Sequence, residues 1–141
     1  MRSVRLAAIA FAMGGLGISL YLTVVHISQD RVLLLCSSSG LVNCEQVLTS
    51  SQSVVGPFPV AVLGVVWFIV LLVLLLRGDG VSPRRRAAVQ LAWAVGGIAV
   101  VFYLIYVELF LVGAICLWCA IVHLFVILLL LASVAEYAAA E

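Results

Sequence analysis

Four uncharged apolar runs divide the chain, at about Leu6–Val25, Phe58–Leu76, Ala87–Val107 and Leu111–Val134. Each is long enough for a helix to cross a bilayer, which takes about 20 residues. A polar stretch, residues 26–57, separates the first two runs, and a short charged one, residues 77–86, separates the second and third. Only a turn near 108–112 divides the third from the fourth. Segments inside hydrocarbon must satisfy their backbone hydrogen bonds internally. The pattern therefore predicts an all-α integral membrane protein. It is a single four-transmembrane-helix bundle over residues 1–141, with a short surface helix in the 26–57 loop.

The first run, after "MRSVR", is longer than the roughly 7–15 residues of a signal-peptide core, and no A-x-A-like site follows it. It reads as a retained helix. "MGGLG" in the first run and "VGG" in the third are small-residue patches that permit close helix approach. "GPFP" marks the start of the second helix.

Composition agrees with the pattern. Of 141 residues, 67% are hydrophobic and 9% charged, against about 25% charged in a soluble domain. A net charge of +1 suggests no nucleic-acid partner. The placement of charge says more. Lysine is absent, and Arg2, Arg5, Arg77, Arg84, Arg85 and Arg86 flank the first three runs. Short loops rich in arginine stay cytoplasmic. Both termini and the 77–86 loop are thus expected inside, and the 26–57 loop and the 108–112 turn outside. The arginines read as topology anchors, with contact to anionic membrane lipid as the alternative.

The outer loop contains "CSSSGLVNCEQVLTSS". Its Ser/Gly run between Cys36 and Cys44 reads as mobile and polar. "NCEQVL" carries a helix-start signature, with Asn43 as N-cap and Gln46 completing a capping box. That puts Cys44 at the first helical position, where backbone N–H groups favour a thiolate and Glu45 opposes it. Val47 and Leu48 are expected to dip inward.

"CLWCAIVH", residues 116–123, places two thiols and an imidazole in an otherwise apolar run. By the arginine topology, Cys116 and Cys119 share the outer end of the bundle with Cys36 and Cys44. The C-x-x-C spacing sets both sulfurs on one helix face, close enough for a reversible disulfide. His123 follows on that face. Cys119 lies about 4.5 Å deeper than Cys116 at 1.5 Å rise per residue. Cys116 can face the loop while Cys119 and His123 face the interior, so the partner of the deep thiol is lipid-soluble. Each feature alone has a plainer reading: a static loop disulfide, two small apolar fillers, a packing histidine. A zinc ion held by the four cysteines is disfavoured by the wide first spacing. An ionisable group within a membrane nonetheless points to function. Two cysteine pairs at one end read together as a thiol relay.

At these residues the chain resembles the vitamin K epoxide reductase family in its bacterial and archaeal branch. The likeness rests on "SLYLTVVH", on Cys36 and Cys44 with "NCEQVLTSS", on "PVAVLG" and on "CLWC", in that order over nearly the whole chain. The DsbB family is similar in chemistry but has its C-x-x-C in the first outer loop. The resemblance implies a membrane oxidoreductase coupling disulfide exchange to two-electron quinone chemistry. Cys116 and Cys119 would be the redox centre, Cys36 and Cys44 the shuttle pair, and Ser50, His123 and Cys119 the quinone's neighbours. Vertebrate members have a tyrosine in place of His123 and an asparagine near Val60, departures that count against vitamin K epoxide as substrate. Many bacterial members carry a fused thioredoxin-like domain. This chain ends at "AEYAAAE" without one, so a separate DsbA-type, thioredoxin-like secreted partner is expected.

The expected activity is oxidation of secreted thiols, with ubiquinone or menaquinone as acceptor, at the outer face of a prokaryotic cytoplasmic membrane. No metal is expected. Reduction of vitamin K quinone or epoxide is the alternative in the same class. A non-catalytic scaffold or metal-binding membrane protein is the alternative outside it.

Overall fold

The computed structural model describes residues 2–28, 36, 38–77 and 80–140. Residues 29–35 and 37 of the outer loop, and 78–79 of the 77–86 loop, lie outside the described residues. Four long helices form the frame: α1 (Arg2–Ser28), α3 (Val60–Leu76), α4 (Pro83–Tyr106) and α5 (Leu117–Ala139). The short α2 (Cys44–Leu48) lies between α1 and α3. Helix α1 packs on α3 and α5, and α4 closes the ring by packing on α5 and α3.

Helices α1 and α5, and α4 with the turn that continues it, are long and apolar enough to cross a membrane. Helix α3 is equally apolar but shorter, at 17 residues. Large apolar side chains cover the exterior, among them Phe102, Phe110 and Ile27. A soluble monomer rarely shows so much contiguous apolar surface. The fold is that of an integral membrane protein.

Spacing explains the packing. Ala8, Ala12, Gly15, Ser19 and Leu22 of α1 recur at three and four residues and are buried, forming one inward stripe. Gly15 meets the Phe68 ring so closely that a Cβ would collide with it. Gly97 of α4 meets Trp67 in the same way. The two small-residue patches are therefore notches for aromatic rings, which accounts for them by packing.

Polar side chains hold the far end of α3. Arg5 donates from Nε and Nη2 to the Leu75 carbonyl at 3.0 and 2.6 Å. Gln90 donates to the Leu74 carbonyl at 3.0 Å. Both carbonyls are among the last four of α3, which have no partner within the helix. Arg5 thus caps a helix besides contributing to the charge pattern. Ser82 caps α4 by accepting the Arg85 N–H, with Pro83 at the first helical position.

Three local expectations change. The Ser/Gly run is a small antiparallel hairpin, with β1 (Ser38–Ser39) pairing β2 (Val42–Asn43) around Gly40 at φ 73°. A second hairpin pairs β3 (Val54–Val55) with β4 (Phe58–Pro59), so α3 starts at Val60. The segment near 108–112 is not a turn between helices. Residues Val107–Val112 continue α4 as a π-helical turn that ends at Gly113, φ 71°. The last helix consequently begins at Leu117 rather than near 111, and residues 114–116 are extended.

Candidate redox site

The end of the bundle that carries residues 38–59 is organised by one short seam. Val42 pairs with Ile115 in an isolated parallel bridge. The Asn43 N–H donates to the Ile115 carbonyl at 3.0 Å, and the Ile115 N–H to the Leu41 carbonyl at 2.8 Å. Cys44 lies two residues past Val42 and Cys116 one past Ile115, so the two cysteines meet within a residue of register. Both are fully buried. Gln46 reinforces the seam, donating its side-chain amide to the Val112 carbonyl at 2.9 Å.

That last contact corrects the capping box. The Asn43 side chain accepts the Gln46 N–H at 3.0 Å, and Cys44 is the first helical residue, as its spacing predicts. Gln46 does not reach back to Asn43; its side chain crosses to the π turn instead.

Cys36 is partly exposed and joined to Cys44 by a disulfide. Cys116 and Cys119 are free. Cys116 is the N-cap of α5 rather than a residue of its opening turn, and its sulfur accepts the Cys119 N–H at 3.4 Å. The intervening Trp118 packs edge-on against Tyr21 of α1, with ring centroids 5.3 Å apart. This contact fixes the C-x-x-C turn against the first helix.

Inside the ring of helices, beneath the outer segments, is a cavity of about 430 Å³. Its walls are mainly apolar and come from all four long helices and from residues 47–55. Cys119 and His123 line it, and Cys116 does not. His123 is buried, at 7% exposure. Ser50 also lines the cavity, and its hydroxyl donates to the Val47 carbonyl at 2.7 Å. Val47, Leu48 and Val60 complete that side. The structure thus gathers Cys119, His123 and Ser50 around one space, with Cys116 behind Cys119 and the Cys36–Cys44 pair across the seam.

Sequence reasoning missed Glu108. It sits in the π turn, 6% exposed, and lines the cavity. Its carboxyl approaches the Cys119 thiol and the Cys116 backbone. The signal was a lone acid in "YLIYVELFLVGAIC", since ionisable groups at membrane depth are costly. Reading 108–112 as an outer turn hid it by assigning it to water.

Residues 6–134 match the model of the vitamin K epoxide reductase family. The chain belongs to that family. Among curated proteins no sequence matches closely enough to add a relative. Family membership makes the chain a membrane oxidoreductase that works through cysteines. It also implies a quinone, and the cavity suits one. Sites for flat organic ligands are about 300–1,000 Å³, mostly apolar, with a few convergent polar groups. Here His123 can donate to a carbonyl oxygen, and the Cys119 thiol opens onto the same space as the Ser50 hydroxyl.

Proposed function

We propose that this vitamin K epoxide reductase family member generates disulfides for secreted proteins and passes the electrons to ubiquinone or menaquinone. Its four long helices span a prokaryotic cytoplasmic membrane as one domain, with both termini inside and the redox site outside. The observation that carries this reading is the seam between residues 41–43 and 115. It aligns Cys44 with Cys116, while the thiol behind Cys116 opens onto an apolar cavity.

The relay runs by thiolate attack on disulfide sulfur. Cys36 and Cys44 are reduced by a DsbA-type, thioredoxin-like partner, which leaves with its own disulfide. The Cys44 thiolate attacks Cys116, forming a Cys44–Cys116 bond and releasing Cys119. Cys36 then attacks Cys44 and releases Cys116, so two electrons now reside on the inner pair. A bound quinone supplies the oxidising power, taking two electrons and two protons. Cys116 and Cys119 close to a disulfide, and the cycle restarts.

The chain's own residues set the geometry. His123 orients the ring by donating to one of its oxygens, and Ser50 lines the space beside it. The apolar walls exclude water. Cys116 receives an N–H donor at the start of α5, a placement that favours attack by and departure of its sulfur.

Purified protein supplied with a reduced thioredoxin-like partner and menaquinone or ubiquinone should reduce the quinone, one equivalent per disulfide formed. Thiol titration should show matching loss of partner thiols. A protein that binds quinone but shows no quinone-dependent loss of thiols would sink the proposal.

A further inference from the structure

Glu108 is the one acidic side chain among the described residues that lines the cavity, and no arginine lines it. The π turn points it there. Val107 and Glu108 are buried, while Leu109, Phe110 and Leu111 are exposed. Such single π turns inside helices recur at functional sites. The backbone carbonyl of Glu108 is engaged by the N–H groups of Gly113 and Ala114, the latter at 3.1 Å. Its side-chain carboxyl faces the cavity and approaches the Cys119 thiol as well as the Cys116 backbone.

We infer that Glu108 exchanges a proton directly with the Cys119 thiol each time the inner pair changes between dithiol and disulfide. A dithiol cannot become a disulfide without releasing two protons and two electrons. In the oxidising direction the electrons go to a quinone, a step that rests on the function proposed above. The Glu108 carboxylate takes the Cys119 proton, leaving a thiolate and a neutral carboxyl. As the Cys116–Cys119 bond forms, the proton on Glu108 follows the electrons to a quinone oxygen, and the Cys116 proton is the second. When Cys44 later opens the inner disulfide, Glu108 takes up the proton that Cys44 gives up on becoming the attacking thiolate, and the departing Cys119 thiolate draws that proton from Glu108.

Position favours this assignment. The cavity walls are mainly apolar, which disfavours water beside Cys119 as the proton acceptor. The other titratable groups lining the cavity are His123 one turn deeper on α5, His26 at the end of α1 and Tyr103 of α4, with Cys116 behind Cys119. His123 lies deeper, beside the bound ring on the reading above, and is already used as a hydrogen-bond donor. Of the groups contributed by other elements, His26, Tyr103 and Glu108, it is Glu108 whose side chain approaches the Cys119 thiol.

The test needs no quinone. A Cys36→Ala/Cys44→Ala protein retains only the inner pair, which a soluble dithiol buffer can titrate between its two states. Redox-difference infrared spectra should then show a carboxyl C=O band that changes with the inner pair, and Glu108→Gln should abolish it. Glu108→Asp, with the same group on a shorter arm, should restore the band at a shifted frequency. Absence of the band in the parent protein, or its persistence in Glu108→Gln, would overturn the inference. A second arm adds menaquinone to the otherwise wild-type chain. Glu108→Gln should slow oxidation of the inner pair by roughly 10²-fold, the lower range for general acid–base catalysis. Quinone oxidation unaffected in Glu108→Gln would also count against the inference. If the carboxyl band tracks the inner pair but the wild type cannot reduce any quinone, the proposed function fails and the thiol–carboxyl coupling stands.

Discussion

Asn43 and Ile115, 72 residues apart in the chain, share a backbone hydrogen bond of 3.0 Å. Each is followed immediately by a cysteine. The bond therefore does for two sulfurs what a strand ladder does for side chains: it sets which pair can meet. Several consequences can be measured.

Removing the resolving thiol should trap the relay. In Cys36→Ala the Cys44 thiolate can still attack Cys116, and nothing then releases it except back-attack by Cys119. We expect a covalent link between the outer loop and α5 to accumulate during turnover. Peptide mapping under non-reducing conditions should place it at Cys44–Cys116. A Cys44–Cys119 link would reverse the assigned roles of the inner thiols.

His123 should matter to one half-reaction only. As a donor to a quinone oxygen it stabilises charge developing there, an effect worth roughly 10²-fold in rate for a single donor. His123→Leu should slow quinone reduction by about that factor, while exchange between the two cysteine pairs keeps its rate. Equal quinone kinetics in the variant and the wild type would reduce His123 to a packing residue.

Orientation is open to a direct check. Cys36 is partly exposed, and the arginine pattern predicts that its segment faces outside. An impermeant maleimide applied to intact, reduced cells should label Cys36. Labelling that appears only after lysis would invert the topology.

The glycine notches make a prediction about stability. Gly97→Ala drives a methyl group into the Trp67 indole, whereas Gly17, with nothing within 4 Å, gives a matched control. Overpacking of this kind costs about 1–3 kcal/mol. Thermal unfolding in detergent should show Gly97→Ala clearly destabilised and Gly17→Ala unchanged. Equal midpoints for the two would mean that α3 and α4 can shift apart at no cost.

The helices were legible because apolar runs and their breaks are local signals. So was the Asn43 cap, where a side chain bonds a backbone group three residues on. The unread parts depend on distant partners. Nothing near Gln46 tells its amide to reach Val112 rather than Asn43. The bridge from Val42 to Ile115 depends on a residue 73 positions away, and a hairpin of two-residue strands is too short to show an alternating pattern. The π turn escaped for another reason. An α-helix and a π-helix made of valine, leucine and phenylalanine look the same in composition, so the inward turn of Glu108 left only its charge as a trace.

Phe68 and Trp67 are adjacent in sequence, yet their rings enter glycine notches on different helices, α1 and α4. Helix α3 is thus keyed from two sides, like a bolt held by two pins at the same height. It cannot slide along the bundle axis without withdrawing both rings at once. Its first turn, from Val60, contributes to the cavity wall beside Ser50. The position of that wall is therefore set from within the bundle, about two turns along α3 from Val60.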